Sequence, residues 1–245
     1  MTRRGLAIIA GIVTSSLVAC TQVTGPNIRS CDTLKIALNS GFDHLESTPF
    51  APQLHGLGEA DQKWLLLEAP EGIATPRRLT AVTFGNWAED SASSRWLGPY
   101  PEGTEVATTL PWGTYTFLYC FCLCDGSEDV NFLRGRIRSS GGGAVEVNGT
   151  PVADVPDGGN SSAGDDWIQF QAGSELEPGL NCIRIETRNE TPVGIEGSGK
   201  VELPVGINVT GLVATVSCCE GQGPGAFIDD ALLGAPLNEA SIERF

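Results

Sequence analysis

Cys120, Cys122 and Cys124 alternate with Phe121 and Leu123 at the end of a run that begins at Tyr115. Cys31, Cys182 and the adjacent Cys218 and Cys219 lie elsewhere in the chain. Thiols so placed either oxidise to disulfides or hold a soft metal ion. A period of two puts Tyr115, Phe117, Tyr119, Phe121 and Leu123 on one face of a strand and the three cysteines on the other. In the run 182–188, Ile183 and Ile185 face inward, so Cys182 is expected on an outer face. It could bridge to the 120–124 row if the two strands are neighbours. The metal-cluster alternative lacks any Cys-x2-Cys pair or spaced histidines. Cys31, Cys120, Cys122, Cys124, Cys182, Cys218 and Cys219 are therefore the disulfide candidates. Setting Cys20 apart, they number seven of the chain's 8 cysteines, so at least one stays free, is capped or bonds to another molecule.

Hard-ligand and sugar-binding chemistry have their own candidates. Acidic loops at 125–129 and 154–166 could hold Ca²⁺ through carboxylate and carbonyl oxygens, although neither has the spacing of an EF-hand. Asp157, Asp165 and Asp166 are the metal candidates, with solvated turn residues as the simpler alternative. Indole faces stack on sugars while nearby acids and amides accept from hydroxyls. Trp87, beside Glu89 and Asp90, and Trp112, in the loop before the long aromatic run, are the ligand-binding candidates. Trp64, Trp96 and Trp167 read as core.

No catalytic residue is assigned. The chain has only His44 and His55, both in a Pro- and Gly-rich region, and no Gly-x-Ser-x-Gly or His-Glu-x-x-His. Gly194, Gly199 and Lys200 fit a phosphate-loop spacing, but Val201 stands where a Mg²⁺-binding hydroxyl is needed. The following run is strand-like, whereas a phosphate loop must open a helix. That segment reads as a Gly-rich turn, the chain reads as non-enzymatic, and no cofactor is required beyond a candidate structural calcium.

The elements that must position these residues are strands. The 245 residues include 31 Gly and 15 Pro, and short β-rich runs follow one another between turn signals. Candidates span 28–38, 63–68, 79–84, 114–124, 132–139, 144–147, 167–171, 181–188, 200–205 and 211–218. Asn148-Gly149 marks a tight hairpin. No helical period appears before Phe227, so the class is all-β, with one sandwich at 28–219 and a tail at 220–245. Lys and Arg total 15 against 30 Asp and Glu, a net charge of −15 that excludes nucleic acid as a partner.

Residues 1–19 have an export signal's basic start and short apolar stretch. Leu17-Val18-Ala19-Cys20 resembles the bacterial lipobox. That resemblance implies cleavage before Cys20, its diacylation, and a lipid-anchored protein with a tether at 20–27. Thr21, in place of an aspartate, favours the outer membrane or cell surface over retention at the inner membrane.

A second resemblance covers roughly residues 39–218. It is carried in order by Asp61-Gln62-Lys63-Trp64, Asn86-Trp87-Ala88, Ser94-Arg95-Trp96-Leu97-Gly98-Pro99, Gly113-Thr114-Tyr115-Thr116-Phe117, Leu133-Arg134-Gly135-Arg136, Val145-Glu146-Val147-Asn148-Gly149-Thr150-Pro151 and Pro178-Gly179-Leu180-Asn181. The segment resembles the galactose-binding-like jelly rolls of exported bacterial proteins, which implies a jelly-roll β-sandwich and makes a structural calcium more plausible. Two segments compete to be its last strand, Lys200 to Val205 or Gly211 to Cys218. The expected function is non-catalytic glycan or surface recognition by a lipid-anchored module. The alternative is a structural subunit of an extracellular assembly that self-associates or joins other surface proteins through an intermolecular disulfide or the tail.

Overall fold

The computed structural model describes residues 33–43, 53–85, 87, 90–123, 132–156, 167–177, 179–189 and 203–217. Its strands are β1 (Thr33–Ala37), β2 (Phe42–Asp43), β3 (Gln53–Leu54), β4 (Ala60–Glu68), β5 (Arg77–Ala81), β6 (Leu97–Gly98), β7 (Gly113–Leu123), β8 (Phe132–Ser139), β9 (Gly143–Val147), β10 (Thr150–Val155), β11 (Ile168–Ala172), β12 (Gly179–Asn189) and β13 (Ile207–Ser217). Apart from the small β2–β3 pair they form one antiparallel hydrogen-bonded path, β10-β9-β12-β7-β4-β5-β6-β13-β8-β11, with β1 added on β13.

That path folds over a single core. From β7 onward the chain alternates between its halves: β7 lies in the first, β8 in the second, β9 and β10 in the first, β11 in the second, β12 in the first and β13 in the second. This criss-cross makes a jelly-roll sandwich, in agreement with the sequence. Trp64, Tyr115, Phe117, Val145 and Ile183 of one half meet Leu133, Ile137, Phe170, Val209 and Leu212 of the other in one cluster. Each such side chain contributes about 1.5–3 kcal/mol on burial.

From Tyr115 to Phe121 the faces of β7 fall as the alternation predicts. Tyr115, Phe117, Tyr119 and Phe121 enter the core, while Cys120 joins Cys182, Leu67 and Leu118 in a second cluster on the outer side. β12 lies beside β7 with Cys182 directly opposite Cys120, and the two sulfurs form a disulfide. That oxidation removes both thiols from any metal cluster. Cys122 stands opposite Leu180 by register. Cys20, Cys31, Cys124, Cys218 and Cys219 lie outside the described residues, as do 1–27 and 220–245.

Among the described residues the last strand is β13. It takes its place between β8 and β1 and begins at Ile207, four residues before Gly211. The sequence treats Gly211 as a boundary, whereas the structure uses it inside the strand. Its φ of 57° lies at a register shift between Thr210 and Val213, where a residue without Cβ is favoured. Of the competing run, Leu203 makes an isolated bridge to Leu110.

Candidate functional site

Strand β8 carries an open row. Leu133, Gly135 and Ile137 are buried, and the alternate residues Phe132, Arg134 and Arg136 are exposed. Gly135 is required here, because a Cβ would come within 2.7 Å of the Phe170 ring and 2.9 Å of Leu212. Its absence lets Phe170 pack directly beneath the arginine row. On neighbouring β11, Gln169 stands opposite Arg136 and Gln171 opposite Arg134, both exposed.

These residues line a groove of about 730 Å³, completed by Val152 and Gly211. Phe132, 38% exposed, supplies an aromatic surface at one end. Trp167, just before β11, sits under the row: the Arg138 guanidinium lies 4.2 Å from its ring centroid and that of Arg136 lies 5.7 Å away. Such cation–π contacts restrain the guanidinium planes at about 0.5–1 kcal/mol each. Trp167 is therefore a half-buried support on the outer face, not the core residue expected from its type.

The next strand is closed by contrast. The outward residues Asn208 and Thr210 of β13 are covered by a serine loop, with Ser94 donating to Asn208 (2.6 Å) and Ser91 and Ser93 hydrogen-bonded to Thr210 (3.2 and 3.1 Å). Asp90 anchors that loop, accepting from the Trp96 amide at 2.9 Å and pairing with Arg95 at 3.3 Å. Burial nevertheless raises the Asp90 carboxyl above its ordinary value, outweighing the Trp96 hydrogen bond and the Arg95 charge.

Arg134 and Arg136 have no ion-pair partner among the described residues. Elsewhere, Arg184 meets Glu68 (3.5 Å) and Glu146 (3.4 Å), and Arg188 meets Glu186 (3.3 Å). Among the described residues the groove lining holds no carboxylate, histidine or cysteine. It offers planar donors, two carboxamides that both donate and accept, and one aromatic surface. A smaller hollow of about 280 Å³ opens beside the disulfide, lined by Leu118, Asn148, Leu180 and Arg184 among others. There the predicted hairpin turn is present, with Asn148 at φ 50° and its side chain tied to the Cys182 amide and to Asn181.

The predicted ligand residues fall apart from the groove. Trp87 is a core residue, 8% exposed, its ring 4.5 Å from Trp96 and 5.6 Å from Phe84. It fits against Gly206, where a Cβ would lie 2.6 Å from the indole, and it presents no platform to solvent. Trp112, 38% exposed, stands at the entrance to β7 and does not line the groove. Asp157, Asp165 and Asp166 lie outside the described residues, as do the 125–129 loop, His44 and the Gly194 to Lys200 turn. Among the described residues no three of His, Cys, Asp and Glu gather as a metal site. His55 has its ring nitrogens 3.6 Å from Glu59 and 3.9 Å from Asp61, and Asp61 is committed to the amides of Gly41, Lys63 and Trp64.

The arginine row has no motif that marks it in sequence, yet it leaves a signal there. Arginines at every second position among buried residues, in a chain of net charge −15, depart from the local balance.

No family model matches the chain, and no characterised protein compared with it matches either. Among solved structures it is similar to a family 35 carbohydrate binding module from an environmental isolate, with 16% identity and a TM-score of 0.28, over 64% of this chain and 99% of that one.

Proposed function

We propose that this chain is a non-catalytic recognition module that binds a glycan in the groove of β8 and β11. The observation that carries this is the juxtaposition of Arg134, Arg136, Gln169 and Gln171 with the exposed ring of Phe132. Guanidinium and carboxamide groups projecting from a rigid strand pair hold fixed hydrogen-bonding directions for hydroxyls, and an aromatic ring receives the apolar face of a sugar. Among the described residues the lining brings no carboxylate, histidine or thiol, and its arginine and glutamine donors suit binding.

On this reading the module acts outside the cytoplasm, anchored by lipid at Cys20 and held off the membrane by residues 20–27. The Cys120–Cys182 disulfide suits an oxidising compartment.

A glycan array probed with the full chain, in Ca²⁺ and in EDTA, tests the proposal. Binding to a defined subset is expected, with loss in Phe132→Ala and Gln171→Ala and retention in Trp112→Ala. An array blank under both conditions, or binding that survives both groove substitutions, would overturn it.

A further inference from the structure

We infer that the groove selects anionic glycans, with Arg134 and Arg136 receiving carboxylate or sulfate groups borne by the sugar chain, an inference that rests on the groove being the glycan site. The chain carries twice as many acids as bases, 30 to 15, yet it places Arg134 and Arg136 two residues apart on one exposed strand face and opposes them with glutamines. Residues i and i+2 of a strand lie about 6.6 Å apart. Two cations at that separation repel each other unless an anion lies between them or across them. Arg95, Arg184 and Arg188 each have a carboxylate; Arg134 and Arg136 have none among the described residues.

The geometry around the pair leaves room for that anion. Gly211, at the bulge of β13, has no side chain where a Cβ would stand 4.0 Å from Arg136 Nε. Trp167 supports Arg136 from the side of Arg138, so the guanidinium is partly oriented before ligand arrives. A guanidinium fork matches carboxylate and sulfate oxygens with two parallel N–H donors, which an ammonium cannot do. The glutamines then take the hydroxyls beside the acid group. Net charge of −15 repels a uniformly charged surface at long range, so a membrane leaflet or a nucleic acid fits poorly. A glycan with spaced acid groups, entering a groove about 730 Å³ in volume, does not meet that barrier everywhere at once.

Three probes with one backbone separate the cases: dextran, carboxymethyl dextran and dextran sulfate, titrated into the full chain at fixed salt. At least one anionic form should bind ten times more tightly than dextran, and whichever is tighter identifies carboxylate or sulfate as the preferred group. Arg134→Gln and Arg136→Gln should each weaken it about tenfold, as loss of a charge-assisted hydrogen bond does. The double Lys variant, which keeps charge without the fork, should remain at least tenfold weaker than wild type. Both arginines are exposed, so melting temperatures should fall by no more than a few degrees, the Arg136 contact with Trp167 being the one lost, and Arg188→Gln on the other half should leave binding unchanged.

Equal binding of all three dextrans, with loss in Phe132→Ala, would overturn anion selection and leave the glycan site standing. Loss of binding in Arg188→Gln to the same degree as in the groove variants would overturn it as diffuse surface attraction. Arginine-dependent binding of polyglutamate with no binding of any dextran or array glycan would overturn both proposals in favour of an acidic protein partner.

Discussion

Replacing Cys120 and Cys182 together with alanine should cost about 4 kcal/mol of stability. The disulfide joins residues 62 apart, and closing a loop of that length in the unfolded chain removes entropy worth about 4 kcal/mol at 25 °C. For a domain of this size that is a fall of roughly 8–16 °C in melting temperature. The sulfurs are also buried with Leu67 and Leu118, so truncation adds a smaller packing loss. A covalent link has a further signature: either single variant already loses it, so the double variant should be only slightly worse than each single one. Urea unfolding of all four proteins, followed by fluorescence and circular dichroism, measures this. The slope with urea should steepen in the variants as their denatured state expands. A double variant within about 1 kcal/mol of wild type, or single losses that sum to the double, would refute the assignment of the link as a principal staple.

Three other outcomes follow from the core and its loops. Asp61→Ala should destabilise by roughly 3–6 kcal/mol, because the buried carboxylate accepts from three amides, those of Gly41, Lys63 and Trp64; a loss below about 1 kcal/mol in urea unfolding would contradict that role. Gly206→Ala should cost about 1–3 kcal/mol, since its Cβ would press on Trp87 at 2.6 Å and on the Leu97 carbonyl at 3.0 Å, and an unchanged melting temperature would show that Trp87 is free to move. Asp90 has a folded pKa raised by burial, so its ionisation opposes folding: the penalty is absent below the unfolded carboxylate value and complete above the folded one. The stability of Asp90→Asn relative to wild type should therefore rise as pH increases through the carboxylate range and then level off. A difference that falls over that window would reverse the sign of the argument.

The fold was legible where a strand buries one face and opens the other. Strand β8 was found at its observed bounds because apolar and polar residues alternate cleanly from Phe132 to Ser139. The aromatic run of β7 shows its inner and outer faces, and with them the outer place of Cys120. Glycine was harder, since the same residue ends strands and permits bulges; Gly211 does the second, and β13 therefore runs on from Ile207. Strand β10 is hard to read in sequence because Pro151 and Asp154 are poor strand formers, although the Asn148-Gly149 turn returns the chain onto β9. Trp87 sits among acidic and glycine residues in sequence, and its core place depends on Gly206, far along the chain. The arginine row could be seen in the sequence, but its openness could not. That depends on β11 supplying glutamines on one side while the serine loop closes over β13 on the other.

Arginine-selective labelling by phenylglyoxal, followed by mass spectrometry of the full chain with and without its tightest-binding array glycan, tests the groove most directly. Bound glycan should protect Arg134 and Arg136 while Arg77 and Arg188 react as before. Unchanged labelling of Arg134 and Arg136 under saturating glycan would contradict the account and move the binding site elsewhere on the sandwich.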